Sequence, residues 1–224
     1  MATIKTLSRV SAAAVTLAAG LAAAPALAEV ELNFYSGYQT APHSRINGTS
    51  PSTGGFSELI GWEGKSFSAP PYYGLRATWW RDGDWGFGAE FSHNKIYANA
   101  DDMAAAGFER LEFTDGLNIL TVNATRRWQD AWGGFTPYVG GGVGVAIPHV
   151  EVTAVGGPST FGYQMTGPAA RFTAGASYAL NERWSVFGEY QFTWSDNSAE
   201  LDGGGSLDTT IYTNALNVGL GFRF

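Results

Sequence analysis

The chain has 224 residues, with 13 basic and 20 acidic side chains, a formal charge of −7, no cysteine, 30 glycines and 14% aromatic residues. The acidic balance argues against nucleic acid as a partner, and a chain without cysteine has no disulfide or thiol chemistry. Beyond residue 28 no apolar run approaches the ~18–20 residues that a membrane helix requires, which excludes a helical membrane protein.

Lys5 and Arg9 precede a run of Ala, Val and Leu that ends in Pro25-Ala-Leu-Ala28, a small-residue cleavage pattern. Residues 1–28 therefore read as a signal peptide removed on export. A membrane anchor is the alternative, but the stretch is short and Ala-rich for spanning. Cleavage takes two of the 13 basic residues and none of the 20 acidic ones, leaving 11 against 20, a formal charge of −9. The remaining 29–224 form one domain, with no linker or change of composition.

Eight extended segments follow, at about 30–40, 69–81, 85–97, 114–127, 135–150, 165–180, 184–195 and 210–224, most with period-two alternation. In the last, Tyr212, Leu216, Val218, Leu220, Phe222 and Phe224 share one face, and Thr213, Ala215, Asn217, Gly219, Gly221 and Arg223 the other. The connections alternate too. Those at 81–84, 129–134 and 181–183 are short, and those at 41–68, 98–113, 151–164 and 196–209 are long. This pattern predicts an all-β fold: an eight-stranded antiparallel transmembrane barrel of the bacterial outer membrane, with short periplasmic turns and four longer extracellular loops. A soluble lipocalin-like barrel would place apolar residues inside instead. Terminal Phe224 suits both packing and an assembly signal read by the outer-membrane assembly machinery.

Trp79, Trp80, Trp85, Trp128, Trp132 and Trp184 fall beside the short turns and predict one interfacial girdle, with Tyr38, Tyr72, Tyr97, Tyr163, Trp194 and Tyr212 as candidates for the other. The same alternation puts Glu31, Arg76, Glu90, Arg171, Glu189 and Arg223 inside, where a lumen this narrow predicts cross-lumen pairing rather than a pore. The run Pro137-Tyr-Val-Gly-Gly-Gly-Val-Gly-Val145 lacks the ending of a phosphate-binding loop, and its glycines make room for those charges.

All three histidines, His43, His93 and His149, fall near the outer strand ends. With Glu63, Glu151, Asp115, Arg45, Lys65 and Lys95 nearby, acid–base or metal chemistry could assemble there if the loops converge. The bland alternative is interfacial Lys, Arg and His that reach lipopolysaccharide phosphates.

Tyr38-Gln-Thr-Ala-Pro-His-Ser44, Gly61-Trp-Glu-Gly-Lys-Ser-Phe67, Pro70-Pro-Tyr-Tyr-Gly74 and Ala146-Ile-Pro-His-Val-Glu151 resemble segments of the lipid A oxidases of rhizobia and related bacteria. Phe113-Thr-Asp-Gly116 and Leu201-Asp-Gly-Gly-Gly-Ser206 extend the resemblance over nearly the whole mature chain. It implies an outer-membrane enzyme that converts the proximal glucosamine of lipid A to 2-aminogluconate with molecular oxygen as co-substrate. The family supplies no catalytic residue set to transfer. The candidates are therefore rim residues: His43, His93, His149, Glu63 and Glu151 as catalytic groups, and Arg45, Lys65, Lys95 and Trp62 as contacts to lipid A, with a divalent metal ion as a further candidate cofactor. Competing expectations are a non-enzymatic adhesin or structural barrel and a lipid A acyl hydrolase.

Overall fold

The structure, a computed structural model, describes residues 29–81 and 84–224, leaving aside the side chain of Thr114. The expected signal peptide and the first turn's Asp82 and Gly83 lie outside the described residues. In chain order the elements are β1 (Glu29–Thr40), β2 (Ser44–Ser50), β3 (Gly54–Ile60), β4 (Trp62–Glu63), β5 (Tyr73–Arg81), β6 (Trp85–Ala98), α1 (Ala100–Ala105), β7 (Phe108–Arg127), β8 (Phe135–Ala154), β9 (Ser159–Tyr163), β10 (Gly167–Ala179), β11 (Trp184–Glu200) and β12 (Ser206–Arg223).

Eight of these strands pair antiparallel in the order β1-β5-β6-β7-β8-β10-β11-β12, and β12 returns to β1 from Glu31↔Arg223 to Thr40↔Asn214. They are the eight segments expected from alternation. Closure gives every strand two neighbours, as a medium without water demands. On β12, Leu216, Val218 and Leu220 are exposed on the outer face while Thr213, Ala215 and Asn217 are buried. That burial is the membrane pattern, not the lipocalin one.

Period two also corrects two aromatic assignments. Trp79, Trp85, Trp128, Trp132 and Trp184 are exposed at the periplasmic end, but Trp80 is buried, its indole N–H donating to Glu31 3.1 Å away. Adjacent residues of one strand cannot both face lipid. Likewise Tyr72 is fully buried and its hydroxyl donates to Gln191, whereas its neighbour Tyr73 lies outside against Phe34 and Phe91.

The inner charges pair across the lumen as expected. Arg76 reaches Glu90 and Glu189, each at 2.8 Å, Arg171 reaches Glu90 at 2.9 Å, and Arg223 lies 3.4 Å from Glu31. Room for this network comes from the glycine row of β8, where a Cβ on Gly142 would overlap the Asn123 side chain that donates to Glu90.

The four long connections are not loops for most of their length. β7 and β8 run to 20 residues each, well past the ~9–11 needed to cross a bilayer. β2 and β3 form a hairpin whose first strand pairs with β12, and β4 pairs with β6, so the wall continues above the membrane. Inside this outer tier lies an apolar core that includes Ile46, Ile60, Ile96, Phe108, Leu111, Phe113, Val150, Val152, Leu207 and Ile211. The interior changes character with height for one reason. Where the wall faces lipid, the outside is apolar and the inside can be polar; where it faces water, burying apolar area inside is favourable.

Candidate functional site on the outer wall

Parity places the chemistry on the outside of the barrel. Ile96, Leu111, Phe113, Val150 and Val152 point into the outer-tier core, so Tyr97, Arg110, Glu112, His149 and Glu151 occupy the opposite face of β6, β7 and β8. From Phe135 to His149, 14 steps along β8 at ~3.3 Å each, tilted by ~40°, climb roughly 35 Å. An outer-membrane apolar band is ~25 Å tall. This face therefore stands above the hydrocarbon, at the level of lipid headgroups.

A bulge builds its centre. Glu112 pairs with Glu151 and Leu117 with Pro148, so residues 113–116 of β7 oppose only 149–150 of β8. The extra length carries Asp115 to His149 and Glu151, where a donor atom from each of the three lies within 4.8 Å of the others. Gly116 closes the bulge at φ 95°, and a Cβ there would overlap His93 Nδ1. The His149 ring stands edge-on to Phe161 at 4.4 Å and to Tyr163 at 4.7 Å. Those β9 aromatics are 68% and 59% exposed and extend an apolar surface beside the polar centre.

Charges of both signs surround the trio. Arg110 donates to Glu112 at 2.7 Å and to Glu151. Lys95 is fully buried, with its ammonium over the Tyr97 ring and within the field of Asp115, Glu112 and Glu151. Lys65 pairs with Glu63 at 3.1 Å and lies over the other side of the same neighbourhood, 4.5 Å from the Tyr97 ring centre. Glu112 stands above the apolar band, and burial first, then the charge of Glu151, pushes its carboxyl above the usual range against the pull of Arg110. Beside Lys65 opens a cleft of about 590 Å³ lined by Tyr38, Thr40, Glu63, Lys65 and Phe67 among others.

The structure thus gathers Glu63, Lys65, Lys95, His149 and Glu151 on one face. The other candidates lie elsewhere. His93 faces outward but sits lower, its Nδ1 2.9 Å from Asn118 Oδ1 and its ring stacked on Tyr73. His43 and Arg45 lie on the β2–β12 side, with Asp196, Asp208 and Tyr212 around the same depression, so the three histidines do not converge. Trp62 belongs to the core: its indole stacks on Phe113 and its N–H donates to Ser44 at 2.7 Å, leaving only an edge on the cleft. Its buried side chain argues against the direct lipid A contact expected of it. Arg110 and Glu112 escaped sequence reasoning because 98–113 read as a loop, which has no parity, and Tyr97 was expected only as a girdle aromatic. The alternation of Arg110 and Glu112 with Leu111 and Phe113 was the available signal.

A closed barrel with a lipid-facing apolar band, a polar lumen crossed by ion pairs and a charged outer wall defines an integral protein of the bacterial outer membrane. The chain belongs to the outer membrane protein beta-barrel domain family, whose model matches residues 14–224. Solved structures of small barrels are similar. They include the outer membrane protein AlkL (14% identity, 88% of this chain and 90% of that one, TM-score 0.49), Neisserial surface protein A (13%, 88% and 97%, 0.47) and OprG from Pseudomonas aeruginosa (12%, 88% and 95%, 0.45). No curated protein sequence matches the chain.

Proposed function

We propose that the protein is an outer-membrane oxidase that acts on lipid A from the outer face of its wall, converting the proximal glucosamine to 2-aminogluconate. The observation that carries this reading is the placement of the charged cluster: outside the barrel, above the apolar band, where the sugar of an outer-leaflet lipid lies. The segments that resemble lipid A oxidases are dispersed in sequence, and three of them supply this face, with Glu63 and Lys65 from 61–67, Asp115 from 113–116, and His149 and Glu151 from 146–151.

In this reading Phe161, Tyr163 and the cleft beside Lys65 seat the lipid, and Lys65 and Arg110, the accessible cations, hold its phosphate oxygens. Glu63, half-exposed, takes the proton of the anomeric hydroxyl. Oxidation removes two electrons and two protons from the C1 carbinol. Dioxygen accepts them and leaves as hydrogen peroxide, and water opens the resulting lactone, so the product gains one oxygen atom. When bound, a divalent metal ion supplies the oxygen activation that these side chains lack.

Mass spectrometry of lipid A from cells with and without the protein tests the reading. The expected product retains all acyl chains and gains one oxygen, and Glu63→Gln or Lys65→Ala reduces its yield at least ~10-fold. Loss of an acyl chain would make the protein a hydrolase. An unchanged spectrum would leave a binding or structural barrel.

A further inference from the structure

We infer that Asp115, His149 and Glu151 are the ligands of a divalent first-row transition-metal ion held on the outer wall of the barrel. The inference deepens the oxidase reading, since this ion would sit in the same cluster, but it stands on observations of its own.

The first is convergence, with one ligand atom from each residue inside a 4.8 Å span. The second is an unsatisfied nitrogen. His149 is 5% exposed, and its Nδ1 faces Glu151 Oε1 at 3.3 Å yet makes no hydrogen bond. Two ligands of one tetrahedral ion, each ~2.0–2.1 Å from it, are separated by about 3.3 Å. A nitrogen lone pair and a carboxylate at that separation, without hydrogen-bond geometry, suit a shared cation better than each other.

Supporting groups occupy the positions that such a site uses. The second oxygen of Glu151 accepts from Arg110, which also holds Glu112, so the carboxylate is oriented from behind. Phe161 and Tyr163 fix the imidazole plane. The bulge that delivers Asp115 interrupts the β7–β8 ladder, and bulges recur where a strand re-aims a side chain at a site. One imidazole nitrogen with two carboxylates, in a chain without cysteine, selects Mn²⁺, Fe²⁺, Co²⁺ or Zn²⁺ over soft ions, and the imidazole disfavours Ca²⁺ and Mg²⁺. Three protein ligands leave positions for water or a reactant.

The test is titration of the folded, detergent-solubilised barrel with Co²⁺, followed by calorimetry and visible absorption. One Co²⁺ per chain is expected, and His149→Ala, Asp115→Asn and Glu151→Gln should each weaken binding by at least ~100-fold. His43→Ala, whose imidazole lies against Gly61 and not among the three ligands, should bind as the parent does. Heat-modifiable gel mobility confirms that each variant is folded, and Asp115→Asn, a near-isosteric change, keeps the test valid if His149→Ala does not fold. No saturable 1:1 binding by the parent, or parental affinity in both Asp115→Asn and His149→Ala, overturns the site. Saturable binding without any change in lipid A would keep the site and remove the oxidase. Oxidised lipid A from a protein that binds no Co²⁺ would do the reverse.

Discussion

Glu90 shows how much one buried side chain can hold in a lumen of this width. It accepts from Tyr35, Arg76, Asn123 and Gln191 and pairs with Arg171. Removing one partner of such a pair strands the others as uncompensated charges. Glu90→Ala is therefore expected to destabilise the barrel by about 3–5 kcal/mol in urea unfolding from micelles. A loss under ~1 kcal/mol would mean that water already screens the lumen. Glu112 on the outer wall carries the opposite sign. Its carboxyl is raised in the folded state, so its ionised form costs stability above that raised value, and the cost fades as pH falls towards the unfolded value. Glu112→Gln should then raise the unfolding midpoint at pH 7 and change it less at pH 4, and equal effects at both would contradict the assignment. Gly116→Ala needs a positive φ and a place already filled by His93. Its expected effect is at least a ~10-fold loss of lipid A product, with the barrel still folded on gels.

The β2–β3 hairpin gives the outer tier its own stability. Ile46 and Ile60 are fully buried in the apolar core that it closes, while the membrane-level pairing of β1 with β12 does not involve them. A charge at Ile46 should therefore open the outer tier and leave the lower barrel closed. Hydrogen exchange of Ile46→Asp is expected to rise in 108–112 and 150–154 and stay protected in 120–127 and 138–145. Uniform loss of protection would mean one cooperative unit. The extended strands also explain why the four long connections resisted reading from sequence. In 110–113 the polar Arg110 and Glu112 lie outside and the apolar Leu111 and Phe113 inside, the reverse of the membrane rule, and the sign changes within a single strand.

At the scale of the molecule, the lumen is filled. Two spaces among the paired charges measure about 20 and 10 Å³, each room for about one water, as expected where side chains fill the lumen. Planar bilayers containing the protein should show no single-channel conductance, and steady openings would show that the network is not closed. A lumen filled by its own side chains leaves the outer wall and rim as the accessible surfaces, and the wall is where the candidate metal ligands stand.

Strand number, closure, lipid-facing rows and inward charges were all legible in the alternation of residues such as Leu216 through Phe224, because a residue's neighbours two positions away share its environment wherever lipid covers one side. Tertiary structure alone decided the site. Asp115, His149 and Glu151 meet through a bulge and a register between β7 and β8, and His43 and Trp62 leave the site for reasons equally remote in sequence. Register and bulges are set by the packing of whole strands against one another, and no local pattern encodes which side of a circle a rim residue will face.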